Sequence, residues 1–197
     1  MTIIPTANPI EFFDLWYQEA LQTKVKDQNA MVLATCSKDY TPSARVVLLK
    51  EYSKKEFVFF TNVNSRKGKE LTENPKAALV FYWVELYRQI RIEGEVKLLE
   101  SNKADNYFAS RPKESQINAW CSKQSSTLED LYSFRNEMKE MAEKFKDKEI
   151  TRPDFWVGFC VIPKAIEFWH GGKHRNHTRY KYQLTEDNSW KIDQLYP

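Results

Sequence analysis

The sequence predicts a mainly β protein with peripheral helices (α+β), built as a mostly antiparallel barrel. Short β-branched and aromatic runs recur, among them "AMVLATCS" (30–37), "EFVFFTN" (56–62) and "KAALVFYWV" (76–84). The segments between strands, such as "KDYTP" (38–42) and "SKK" (53–55), are short and polar, as hairpin connections are. Aromatics make up 14% of the chain against five glycines, which suits packed strands and argues against a Gly-rich nucleotide loop.

The elements follow in order. Asn8-Pro9-Ile10-Glu11 reads as a helix start, with a capping Asn and Pro at the first position, and the helix runs to about Gln22. Strand character then holds through "AMVLATCS", "SARVVLLKEY" (43–52) and "EFVFFTN". "SRKGKELTEN" (65–74) predicts a short helix capped by Ser65 and stopped near Asn74-Pro75. "KAALVFYWV" and "LYRQIRIEGEVKLL" (86–99) are strands; in the second, Tyr87, Gln89, Arg91 and Glu93 alternate with Arg88, Ile90 and Ile92. Ser101 is expected to cap a helix through "NKADNYFASR" (102–111), and a longer helix covers roughly Thr127 to Phe145. After the loop "DKEITRPDF" (147–155), strands return in "FWVGFCVIPKAIEFW" (155–169), "TRYKYQL" (178–184) and "SWKIDQLYP" (189–197). "TEDNS" (185–189) is a hairpin turn. No repeat or domain boundary interrupts 197 residues, so one domain is expected.

Net charge is only +3, so any basic function must be local. The start, "MTIIPTANPIEFFDLW", lacks the basic region and long apolar run of a signal peptide, and no run reaches membrane-span length. Cys36, Cys121 and Cys160 are odd in number and far apart, which fits a reducing compartment; a cytoplasmic protein is expected.

One stretch concentrates chemistry. "FWHGGKHRNHTRY" (168–180) holds all three histidines. A strand from Arg175 onward would set Arg175, His177 and Arg179 on one face, where they repel unless a ligand or acidic neighbours compensate. The bland alternative is a solvated edge strand made basic against aggregation. Metal binding is not expected, because Gly171-Gly172 disrupts the helix that could use the histidine spacing. Nucleic acid is not expected either, for want of an RNA-binding signature or a basic stripe. A small anion fits better. Arg66 and Lys67 fall in a helix first turn, where N–H groups favour phosphate. Tyr107, Arg111 and Ser115 recur every four residues around Pro112, and "SKQSS" (122–126) adds donors. Arg45 and Lys50, five apart, would face opposite sides of a regular strand and serve two ligands. Together these supply donors for two phosphorylated molecules. Trp16, Trp83, Trp120 and Trp156 read as packing residues.

The motifs "RVVLLK" (45–50), "FFTNVNSRKGKEL" (59–71), "YRQIRIEGEV" (87–96), "YFASRPKESQINAWCSKQSS" (107–126), "FWVGF" (155–159), "IEFWHGGKHRNHTRYKY" (166–182) and "WKIDQLYP" (190–197) resemble, in order, those of the pyridoxamine 5'-phosphate oxidase family. The resemblance implies an FMN-binding split β-barrel. It implies one domain over 1–197, with a dimerisation and active-site segment at about 155–197, and a homodimer holding FMN at the subunit interface. By resemblance, FMN contacts fall on Arg45, Val46, Val47, Leu48, Leu49, Lys50, Phe60, Thr61, Arg66, Lys67, Gln89, Gln124, Ser125, Trp169 and Arg179. Substrate contacts fall on Lys50, Tyr107, Arg111, Ser115, Arg175 and His177, the last two in catalytic roles. The implied reaction oxidises pyridoxamine and pyridoxine 5'-phosphate to pyridoxal 5'-phosphate, with O2 as acceptor and H2O2 as product. Two departures stand out. Arg175-Asn176-His177-Thr178-Arg179 replaces a frequent Arg-Leu-His-Asp-Arg, and "MTIIPTA" before the first helix lacks the Arg-x-x-Tyr by which many relatives close over substrate. Asp27 aligns with a residue of that lid. The second departure favours an alternative, a non-catalytic split-barrel protein that binds FMN or pyridoxal phosphate.

Overall fold

A computed structural model describes residues 5–23 and 25–197; Met1–Ile4, part of the stretch tested for a signal peptide and a lid, lie outside them. Among the described residues nine strands form one sheet, and every pairing is antiparallel. The strands are β1 (Ala30–Cys36), β2 (Pro42–Leu48), β3 (Glu51–Tyr52), β4 (Phe57–Asn62), β5 (Lys76–Trp83), β6 (Arg88–Leu98), β7 (Trp156–His170), β8 (Thr178–Leu184) and β9 (Trp190–Leu195). Their order is β2-β1-β5-β6-β7-β4-β3, with β8 pairing both β7 and β9. β7 makes the split: its first half pairs with β4 and its second half with β8, while β6 runs along most of its length.

The period of two shows in the burial. Leu79, Phe81 and Trp83 of β5, Ile90 and Ile92 of β6, and Ile166 and Phe168 of β7 are buried inward. Helix α1 (Pro9–Gln22) covers this core; the Asn8 carboxamide oxygen caps it by accepting from the Ile10 N–H at 2.9 Å. Phe13 meets Phe57 and Phe81 edge to face, and Phe12 and Trp16 both contact Phe168. Each ring of this kind contributes about 1.5–3 kcal/mol by burial, so truncating the fully buried Phe13 is expected to damage the core. A second cluster, Phe108, Ile117, Cys121, Ile150 and Trp156, lies beneath α3 (Ser101–Ala109), α4 (Lys113–Cys121) and α5 (Leu131–Lys144).

The structure departs from the sequence reading at five places. "SARVVLLKEY" is not one strand: the chain leaves β1 after Leu48, and the Lys50 N–H donates to Val58 O on β4. Alternation is broken there, so Arg45 and Lys50 need not face apart. Glu100, not Ser101, occupies the cap of α3, and the Ser101 hydroxyl instead accepts from Arg152. The unforeseen α4 follows Pro112, which supplies its start. The longer helix begins at Leu131 because Asp130 caps it, accepting from the Tyr132 and Ser133 N–H groups. β8 begins at Thr178, after Arg175 and His177, and is flanked on both sides, so it is no edge strand.

Candidate active site

The end of β2, the outer part of β4, the first turn of α2 (Arg66–Glu73) and the α3–α4 corner enclose a cavity of about 520 Å³. Arg45, Lys50, Lys67 and Arg111 line it, and no Asp or Glu does. Local sequence explains how α2 is aimed. The Ser65 hydroxyl caps the helix by accepting from the Gly68 N–H at 3.3 Å. Gly68 lets the helix lie on the exit of β4: a Cβ there would stand 2.3 Å from Val63 O. Lys67 is thereby buried, and its Nζ lies 3.3–3.4 Å from three neutral oxygens, of Thr61, Ser65 and Gln124. Burial, then the Arg45 charge, pull its pKa below the usual lysine value, and Glu70 partly offsets them.

The far wall is aromatic. Phe60 stacks on Tyr107 (4.3 Å, 15°) and on Trp156 (5.0 Å, 4°). The Arg111 guanidinium lies 4.8 Å over Trp156, its pKa lowered by burial, and its Nη1 is buried with no hydrogen-bond partner among the described residues. Lys50 makes no ion pair among the described residues; its Nζ lies 5.7 Å from the Tyr107 ring centre. A buried unpaired donor is costly, and a cavity holding several cations without a carboxylate has the charge that suits an anion.

Glu70 lies on the opposite side, behind Arg45 and the first turn of α2. It is 5% exposed and accepts from Thr35 (2.5 Å), Ser43 (2.6 Å), Arg45 (3.2 Å) and Arg66 (2.8 Å). These bonds outweigh its burial and hold its carboxyl at about 2.

A second group of candidate residues is elsewhere. Pairing aligns Tyr82, Gln89, Trp169, Arg179 and Leu195 in one row across β5, β6, β7, β8 and β9. The next row is Val46, Val32, Val80, Arg91, Glu167 and Lys181, so both rows share the outward face of the sheet. Glu167 fixes Arg179 (2.9 Å) and Arg91 (3.3 Å). His177 packs on Trp169 at 4.6 Å, and the Gly172 N–H donates to its Nδ1 at 3.1 Å, which leaves Nε2 as the ring's outward donor in the neutral form. Gly172 is required here, since a Cβ would stand 1.8 Å from Asn176 O. His174 and Arg175 both have positive φ, 54° and 63°, at a cost of about 1–2 kcal/mol each. Arg175 is exposed.

Of the residues expected to bind ligands, the cavity gathers Arg45, Val46, Val47, Leu48, Lys50, Phe60, Thr61, Lys67, Tyr107, Arg111, Ser115 and Gln124. Leu49 points into the core, and Arg66 lies outside the lining, paired to Glu70. Ser125 lines a neighbouring cavity between α4 and α5, and Gln89, Trp169, Arg175, His177 and Arg179 do not line the first. Trp156, expected only to pack, is a wall of the site, as are Asn62, Asn118 and Ser122. The sole sequence signal for Trp156 was its place in "FWVGF". Among the described residues no His, Cys, Asp and Glu group is placed to hold a metal, and no helix is long and apolar enough to cross a membrane.

Comparison with known proteins bears on this arrangement. Residues 17–145 match the family model described as pyridoxamine 5'-phosphate oxidase, and residues 156–197 match that of the pyridoxine 5'-phosphate oxidase C-terminal dimerisation region. A pyridoxine/pyridoxamine 5'-phosphate oxidase of Wolbachia pipientis is 60% identical over 96% of this chain and 88% of its own length. The protein of that name from Ehrlichia chaffeensis is 58% identical over 96% and 98%. PhzG from Burkholderia lata, solved with tetrahydrophenazine-1-carboxylic acid, superposes with a TM-score of 0.93 at 32% identity, over 98% of this chain and 94% of its own. An FMN-binding protein from Nostoc punctiforme shares the fold, with a TM-score of 0.75 at 13% identity. With identity of this order sustained along nearly the whole of both chains, this protein belongs to the pyridoxine/pyridoxamine 5'-phosphate oxidase family and is an oxidoreductase of that family.

Proposed function

We propose that the chain binds FMN and oxidises pyridoxamine 5'-phosphate and pyridoxine 5'-phosphate to pyridoxal 5'-phosphate, with O2 as the final acceptor and H2O2 as product. The observation that carries this reading is the cavity with four cations, no carboxylate and an unpartnered Arg111 Nη1. Its residues fit two phosphate monoesters. Lys67 at the start of α2, with Arg45 and Arg66 close by, holds the FMN phosphate, aided by Thr61 and Gln124. Lys50, Tyr107, Arg111 and Ser115 hold the phosphate of the vitamin. A phosphate carries about −1.5 to −2 charge and three acceptor oxygens, which four such donors match better than a carboxylate would. When bound, FMN supplies the acceptor for the two electrons that leave the substrate carbon.

The protein's own part is binding, orientation and exclusion of water. Stacking of Phe60, Tyr107 and Trp156 fixes the wall on which the phosphate clamp is mounted, so the substrate is held in a single pose. Arg175 and His177 stabilise charge at the reacting end, His177 by donating from Nε2. They reach it from a second copy of the chain. The support for this is that the sheet row bearing Gln89, Trp169 and Arg179 faces outward beside exposed Val32, Val46 and Tyr82, in a chain that carries the family's dimerisation region. An aerobic and anaerobic assay of purified protein with pyridoxine 5'-phosphate tests the reading. Aldehyde and stoichiometric peroxide in air, with a single turnover without it, are expected. A yellow protein that forms no aldehyde from either substrate would establish the non-catalytic alternative.

A further inference from the structure

We propose that Glu70 is a positioning residue for the cofactor's phosphate, its buried carboxylate fixing Arg45 and Arg66 beside Lys67 as a preformed cationic cradle. This rests on the FMN reading above. Glu70 lines no part of the cavity, yet every bond it accepts comes from that neighbourhood. Oε1 takes the Arg66 Nε from its own helix. Oε2 takes Thr35 from β1, and Ser43 and Arg45 from β2. Arg45 in turn donates to Thr35 and Ser43, so the carboxylate and two hydroxyls enclose its guanidinium.

Electrostatics give this arrangement a purpose beyond packing. Arg45, Arg66 and Lys67 crowd three cations into one helix turn and its neighbouring strand, and without compensation they repel. One carboxylate leaves two net positive charges, close in magnitude to the negative charge of a phosphate monoester. Glu70 thus lets the cradle exist before the anion arrives, and spares binding the cost of ordering it. Lys67 is the sensor of this balance. The groups around it are Arg45 from β2, Arg66 and Glu70 from α2, and the neutral oxygens of Thr61, Ser65 and Gln124, with Lys50 and Arg111 across the same cavity. Removing the Glu70 charge takes away the influence that keeps Lys67 protonated, so Lys67 then loses its proton at lower pH.

The test uses full-length apoprotein of wild type, Glu70→Gln and Glu70→Asp. Affinities for FMN and for riboflavin, which lacks the phosphate, are read by flavin fluorescence quenching from about pH 6 to 10. Glu70→Gln is expected to bind FMN about tenfold more weakly with riboflavin affinity within about twofold of wild type. Its alkaline loss of FMN affinity should begin at lower pH, and Glu70→Asp, which keeps the charge, should restore the wild-type limb. Equal loss for both flavins, or an unmoved alkaline limb in Glu70→Gln, overturns the proposal and makes Glu70 a support of the fold alone. If Glu70→Gln does not fold, Glu70→Asp decides by the same comparison of flavins. A wild-type protein with no preference for FMN over riboflavin fails differently: it overturns the FMN reading itself.

Discussion

The cavity beneath β2 and the Gly171–Gly172 turn carry charge of the same sign in opposite settings. In the cavity, Lys67 is 8% exposed and Arg111 rests on Trp156. At the turn, Arg175 is exposed, sits at positive φ and follows another residue at positive φ. The cations of the first region are buried and packed, whereas the second combines exposure with two successive residues at positive φ. The two regions are therefore expected to do different work. Binding an anion needs desolvated donors fixed in advance, whereas acting on a substrate held by other elements needs a group that projects from its own sheet.

Substitutions in the two regions should therefore part company. The largest effect is expected for Arg175→Ala: kcat lower by about 100- to 1,000-fold, with FMN bound at wild-type stoichiometry in the absorption spectrum. Loss of flavin together with activity would erase the distinction between the regions. Arg111→Met should raise KM for pyridoxine 5'-phosphate by about 10- to 100-fold while kcat falls much less, because a charged donor to phosphate is worth about 1.5–3 kcal/mol. Steady-state kinetics checks this, and a fall in kcat alone would move Arg111 from binding to chemistry. Lys67→Met should weaken FMN about tenfold and leave riboflavin nearly unaffected, measured by fluorescence titration.

The smallest effects are in pH. Lys67, lowered by burial, is charged below its folded pKa, so FMN affinity should decline as pH rises through that lowered value. Glu70 works in the other direction. Its carboxyl is lowered from 4.5 to about 2, so it stabilises the fold above pH 4.5 and that stability is lost as pH falls toward 2. The Tm difference between wild type and Glu70→Gln should be widest above pH 4.5 and close on acidification; a constant difference would mean that the carboxylate charge plays no part.

Much of the cavity could be read from the chain. Ser65 as a cap placed Arg66 and Lys67 in a first turn, and the spacing of Tyr107, Arg111 and Ser115 around Pro112 marked them as candidate donors, which the structure gathers on one cavity. Glu70 could not be read so: a Glu among lysines on a short helix looks solvated, and only packing against Thr35 and Ser43 shows it buried. Alternation misled at two points, where Leu49–Lys50 cross from one strand to another and where His174–Arg175 turn before β8. Period-two reasoning holds only while the ladder does.

By itself, the sequence determined the fold class, the starts of α1 and α2 and the kinds of group that line the cavity, since these follow from local periodicity, capping and side-chain chemistry. Tertiary structure alone decided that Arg45, Lys50, Lys67 and Arg111 share one cavity, that Trp156 walls it, and that Gln89, Trp169 and Arg179 form a row of the outward sheet face outside its lining. Those facts depend on which strands pair and how β7 divides its partners, and register between distant segments leaves no mark on either segment alone.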